Sequence, residues 1–84
     1  MIPYDFTRHA QRELFKLPVN IQRQIIRKLE HYLSQPEPLA FAKHIVGNRP
    51  AIYRFKISDY RVIFDWEGSG ILITRVGHRK DVYR

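Results

Sequence analysis

The sequence contains no cysteine. Neither a disulfide framework nor a thiolate metal site is open to it, and that absence fits a reducing compartment. Long apolar runs are missing too: the longest, "LAFA", has four residues, far too few to cross a bilayer. The opening "MIPYDF" lacks the basic start and apolar stretch of a secretion signal. No internal repeat, low-complexity tract or linker divides the chain. "IVGNRP" (Ile45 to Pro50) has no phosphate-cradling glycine pattern and reads as a loop. These absences predict a soluble cytoplasmic protein forming one domain over residues 1–84, with no membrane contact. Such a short chain can bury only a modest core. At 44% hydrophobic and 13% aromatic residues it is nevertheless rich enough to fold.

Acidic residues are scarce, and that is the informative imbalance. Eight Asp and Glu face fifteen Lys and Arg, a formal charge of +7 on 84 residues. The sequence pI is near 10.2. A field of this size attracts polyanions, nucleic acid first and an acidic protein second. The bland alternative is a basic surface kept for solubility.

The periodicity then divides the chain in two. "IPYDF" is a short alternating stretch that Pro3 limits to an edge strand or a strand start. Thr7 suits an N-cap for "RHAQRELFKL", where Ala10, Leu14 and Leu17 recur at helical spacing. Pro18 breaks that pattern and suits the first turn of a second helix. Ile21, Ile25, Leu29 and Leu33, with Ile26 and Tyr32 beside them, make its apolar face, and "PEP" stops it. From "AIYRFKIS" the period becomes two: Tyr53, Phe55 and Ile57 on one face, Arg54 and Lys56 on the other. After a tight turn near Ser58 and Asp59, Val62, Phe64 and Trp66 oppose Arg61, Ile63 and Asp65. "GSG" signals a hairpin, and "ILITRV" is the last strand. The expected fold is α+β in the order β-α-α-β-β-β, a two-helix hairpin on one face of a four-stranded antiparallel sheet.

That alternation places Arg54 and Lys56 on the helix-free face, where Arg61 on the neighbouring strand joins them. Gly77 lets the backbone turn and delivers His78 and Arg79 to the sheet rim. A basic cleft follows, with the "GHRKDVY" tail beside it. Lys and Arg on a strand face often serve only to block edge pairing. That explains one or two cations, but poorly explains a cluster converging from three segments with a His and a Tyr. An RNA phosphodiester carries its own nucleophile, the 2′-OH. Its cleavage needs a base, cations for the pentavalent phosphorane and an acid for the 5′-oxygen, and no metal or other cofactor. Arg54, Lys56 and Arg61 suit the phosphorane, and Arg79 suits phosphate clamping through its planar fork. His78 or Tyr83 is the base. Histidine titrates near neutrality unaided, whereas a phenol needs acidifying by adjacent cations. Other constellations are weak. His9, His31, His44 and His78 fall on separate elements, and His9 and His31 read as solvated helix positions. Asp65 and Glu67 read as a charged strand end, and Trp66 with Phe64 as core rather than a base-stacking platform.

"IYRFKISDYRVIFDWE" followed by "VGHRKDVYR", with "RHAQRELFKLP" before them, resembles the RelE family of toxin–antitoxin ribonucleases in the RelE/ParE superfamily. The resemblance covers nearly the whole chain. It implies an mRNA interferase that cuts message in the ribosomal A site, restrained by a cognate antitoxin in a hetero-oligomer. It also implies Arg54, Lys56, Arg61 and Arg79 as catalytic cations and Tyr83 as base; Lys43 and Lys80 are further expected RNA contacts. Two departures stand out. Arg54 occupies a position where lysine is common, and an arginine does not give up a proton at neutral pH. The sequence ends one residue after Tyr83, without the C-terminal helix of some members. Two other readings compete: a non-nuclease ParE-like toxin that inhibits DNA gyrase, and a basic adaptor that binds RNA without cutting it. The first branch tends to lack the full set of cations with tyrosine.

Overall fold

The computed structural model describes residues 1–45 and 52–82. Most of the "IVGNRP" loop, together with Tyr83 and Arg84, lies outside the described residues. The elements run β1 (Tyr4–Phe6), α1 (Arg8–Phe15), α2 (Val19–Leu33), a 3₁₀ turn (Pro38–Phe41), β2 (Ala42–His44), β3 (Ile52–Ile57), β4 (Tyr60–Trp66) and β5 (Ile71–His78).

The helices form where the spacing placed them. The Thr7 hydroxyl accepts the Ala10 N–H at 3.1 Å and starts α1. The Pro18 carbonyl accepts the N–H groups of Ile21 and Gln22 at the start of α2. Ala10 and Leu14 from α1 and Ile25, Leu29 and Leu33 from α2 are buried. They meet Phe55, Ile57, Val62, Phe64, Ile71, Ile73 and Val76 of the sheet in one cluster. Stacked rings tie the layers: Tyr32 of α2 lies 4.9 Å from Phe55, and Phe55 lies 4.7 Å from Phe64. Phe64 is fully buried, whereas Trp66, at the end of β4, packs against the core only partly buried.

The sheet differs from the expectation. Among the described residues it has five strands in the order β1-β5-β4-β3-β2, and it is mixed, because β1 runs parallel to β5. Strand β2 is three residues long, too short for an alternation to register in the sequence. The helices carry the chain from β1 at one edge of the sheet to β2 at the other, and three antiparallel steps then bring β5 back beside β1, in parallel. Ser58 adopts φ 55° in the β3–β4 turn, and Gly68 φ 86° in the β4–β5 turn. Gly70 allows a close approach: a Cβ there would stand 2.9 Å from the Pro3 carbonyl oxygen.

The pairing of β4 with β5 slips by one residue. Phe64 faces Ile73 but Ile63 faces Arg75, so Thr74 has no partner and forms a β-bulge. The bulge reverses which residues face the helices. Val76 and His78 share a face with Val62 and Tyr60, while Arg75 and Gly77 share the opposite face with Ile63 and Arg61. Beyond Ile73 no strand among the described residues covers the outer edge of β5, since β1 pairs only as far as Ile73. There Glu13 of α1 takes over, accepting the Val76 N–H at 2.9 Å and the Arg75 guanidinium at 3.1 Å.

A second carboxylate ties β1 to α2. The Tyr4 hydroxyl donates to Glu30 at 2.7 Å. Burial, that hydrogen bond and the Glu30 charge push the phenol from 10.0 up to about 12. The folded pKa is raised, so this contribution is complete below about pH 10 and is lost as pH rises toward about 12. Tyr4→Phe should therefore cost on the order of 1 kcal/mol at neutral pH and flatten the alkaline limb of stability. Urea unfolding at pH 7 and again above pH 10 checks both. An unchanged alkaline limb in the variant would mean that another group titrates there.

Candidate functional site

The helix-free face is built by cross-strand pairing. Lys43 on β2 pairs with Arg54 on β3, which pairs with Ile63 on β4, which pairs with Arg75 on β5. One row along, Lys56 pairs with Arg61, and Arg61 with Gly77. Paired residues share a face, so Lys43, Arg54, Lys56 and Arg61 gather on one surface as the alternation required.

Arg61 is not the open member of a cleft that the sequence suggested. It is only 7% exposed, and its guanidinium donates to the carbonyls of Ser58 at 3.0 Å and Tyr60 at 2.9 Å. The hairpin turn thus fixes this cation, whose field is less screened by water than that of a surface arginine. Lys56 beside it is exposed.

The tail is not frayed as far as it is described. The Arg79 N–H donates to the Asp59 carbonyl at 2.8 Å, and its side chain lies 3.8 Å from the Asp59 carboxylate. The N–H groups of Asp81 and Val82 donate to the His78 carbonyl, closing a turn. Val82 is 2% exposed and seats on Gly77. Gly77 does not take a positive φ, so backbone freedom is not what it supplies. Its missing side chain leaves the place that Val82 fills. Because Gly77 is the cross-strand partner of Arg61, Val82 brings the chain to the basic face one residue before Tyr83.

His78 goes elsewhere. The bulge directs it to the face of Tyr60, whose ring it meets edge-on at 5.6 Å, away from Lys56 and Arg61. Arg79 and Lys80 are exposed at the rim. The candidate set is therefore divided: Lys43, Arg54, Lys56 and Arg61 on one face, Arg79 and Lys80 at its border, His78 behind it. His9 and His31 are exposed on their helices. Sequence reasoning missed Glu13, and it missed a groove of about 590 Å³ on the helix side, lined by Leu14, Phe15, Gln22, Ile26, Arg27 and Glu30. The signal for that groove was Phe15, off the buried stripe of α1 and 63% exposed.

Comparison with known proteins places nearly the whole chain beside toxins of known family. A family model described as the ParE toxin of the type II toxin–antitoxin system parDE matches residues 4–83. Toxin RelG of Mycobacterium tuberculosis is 33% identical over 87 aligned positions, which span 99% of both chains. Among solved structures, a chain of the RelBE2 toxin–antitoxin complex from Mycobacterium tuberculosis superposes with a TM-score of 0.78 at 28% identity, over 90% of this chain and 95% of that one. The isolated RelE toxin of E. coli superposes with a TM-score of 0.69 at 26% identity, over 89% of this chain and 81% of that one.

The Gly77–Val82 contact is open to test. A Cβ at Gly77 would lie 3.6 Å from the Val82 Cβ, ordinary contact, so Gly77→Ala should change stability by no more than about 0.5 kcal/mol. Gly77→Phe should evict Val82 and expose its amide to exchange. Equal protection of Val82 in both variants would show that the tail does not rest on Gly77.

Proposed function

This chain belongs to the ParE toxin family of type II toxin–antitoxin systems, within the RelE/ParE superfamily, and from that premise we propose that it is a ribosome-dependent mRNA endoribonuclease. The observation that carries this reading is the pairing Lys56–Arg61–Gly77 with Val82 seated on Gly77, which brings sheet cations and tail to one place. In the proposed reaction Tyr83 takes the proton from the RNA 2′-OH, which attacks the adjacent phosphorus. Arg54, Lys56, Arg61 and Arg79 stabilise the phosphorane. Of these four, Lys56 alone has a proton it can give to the departing 5′-oxygen, since arginine stays protonated. Arg61, held by two carbonyls, acts mainly through its field. Lys43 and Lys80 extend the phosphate track. His78 is not proposed as the base, because its ring packs on Tyr60 on the other face.

In this reading Tyr83→Phe keeps the fold and RNA affinity and slows cleavage of a translated message. Lys56→Ala, Arg61→Ala and Arg79→Ala each lower the rate by roughly a hundredfold or more, and their effects need not add. Arg61→Ala also removes two hydrogen bonds, so its rate is compared at equal folded fraction. Wild-type rates in all four variants would sink the proposal.

A second reading has an observation of its own. The matching family model is that of ParE toxins, which favours a non-nuclease toxin acting on DNA gyrase. Retention of Arg54, Lys56, Arg61, Arg79 and Tyr83 together favours the nuclease. Loss of gyrase supercoiling with message left intact would decide for the second reading.

The expected partner is a cognate antitoxin, as the toxin–antitoxin assembly of the RelBE2 neighbour supports. An acidic segment over the basic face should lose affinity as salt rises. Salt-resistant binding that ignores Arg54, Lys56 and Arg61 would place the partner on the apolar groove beside Phe15 instead.

A further inference from the structure

His78 lies beside the proposed site, yet faces away from it, and both its ring Nδ1 and its carbonyl bond the tail. Its Nδ1 accepts the Lys80 N–H at 3.1 Å. Its carbonyl accepts the N–H of Asp81 at 2.8 Å and of Val82 at 3.0 Å. The ring stands edge-on to Tyr60 at 82°. A side-chain acceptor bonded to the N–H two residues on is the geometry of an Asx turn, here made by an imidazole. An Nδ1 that accepts must be unprotonated, so the ring is neutral with its hydrogen on Nε2, a tautomer assigned from the hydrogen bond.

We propose that His78 is a positioning residue: as the neutral imidazole it closes the 78–82 turn that seats Val82 on Gly77, and so sets where the tail meets Arg61. The functional meaning of that placement rests on the nuclease reading above; the placement itself does not. Protonation would turn Nδ1 from acceptor to donor and set it against the Lys80 N–H. The charged groups around the turn are these. Arg79, Lys80 and Asp81 follow His78 in the turn, all exposed. Asp59, from the β3–β4 turn, is paired with Arg79. Glu13, from α1, is engaged at Arg75 and Val76. Tyr60 presents its ring. No group of opposite charge bonds the imidazole, so the loss of the Lys80 bond on protonation has no replacement among the described residues.

The sequence alone did not separate this role from that of a base. Both need a histidine beside the tail. What separates them is the side of the sheet, and the side is set by the bulge at Thr74.

The test uses the full chain and reads the tail without reference to RNA. Amide protection factors, corrected for intrinsic exchange, are measured for Asp81 and Val82 between about pH 5.5 and pH 8, where histidines change charge. In the wild type they should fall by about five- to tenfold toward the acid end, the worth of one net hydrogen bond. His78→Asn keeps an acceptor at the same place but cannot titrate, so protection should persist and become flat with pH. His78→Ala should lose it at every pH. Cleavage of translated message should follow the tail: within about threefold of wild type for His78→Asn with its acid limb flattened, and about tenfold lower for His78→Ala. Full protection in His78→Ala, or a wild-type pH dependence in His78→Asn, would overturn the proposal. So would a His78→Asn variant whose Val82 stays protected while cleavage is abolished, because the imidazole would then be doing chemistry. Should the wild type not cleave at all, the nuclease reading fails, and the protection factors still decide the role of His78.

Discussion

Between Ile73 and Arg75 one residue of β5 has no partner on β4, and the face taken by every later side chain follows from that single insertion. Without it, Ile71, Ile73, Arg75 and Gly77 would share a face, and Arg75 would enter the core while Val76 met water. With it, Val76 is buried and Gly77 lies opposite Arg61. A bulge leaves ladder groups without strand partners, and these need other ones. The Thr74 hydroxyl donates to the Ile63 carbonyl at 3.3 Å, and Glu13 accepts the Val76 N–H that a longer β1 would otherwise have covered. One carboxylate from α1 thus stabilises the register on which the basic face depends.

Two kinds of cation stand on that face, and they differ physically. Lys56 is exposed, its ammonium carried in water on a four-carbon stem. Arg61 is buried and bonded to the turn between β3 and β4, so its charge is present before any ligand arrives. In the proposed reaction such a preset charge would meet the transition state without reorganising. Arg79 is anchored to the same turn through Asp59, by its backbone and by its side chain. The β3–β4 turn is thereby the common support of both arginines, and of the tail that follows them.

Much of this was legible in the sequence. Ile25, Leu29 and Leu33 announced the buried stripe of α2, and the strict alternation from Tyr53 to Ile57 announced the two faces of β3. Thr7 announced its own cap. These are local signals, written within one or two turns of chain. What escaped was non-local. Periodicity states which face a residue takes but not which strand lies beside it, so the parallel pairing of β1 with β5 was hidden. Strand β2 is shorter than the period needed to reveal it. Glu13 looked like one more polar residue on a helix, because the groups it bonds on β5 are more than sixty positions away. Gly77 was noticed for its backbone freedom, and its use is the space it leaves. The convergence of Arg54, Lys56 and Arg61 was readable; the separation of His78 from them was not, since one unpaired residue at Thr74 moved it to the other side.

In the proposed reaction the RNA itself supplies the nucleophile, held between a fixed set of cations and a base on the tail. The chemistry of the product ends tests this most directly. Message recovered from a translating extract treated with the protein should carry breaks whose upstream fragments end in a 2′,3′-cyclic phosphate, or the 3′-phosphate it opens to, with 5′-hydroxyl ends downstream. Upstream fragments ending in a free 3′-hydroxyl, with 5′-phosphates downstream, would mean that water and not the 2′-OH attacked, and would contradict it.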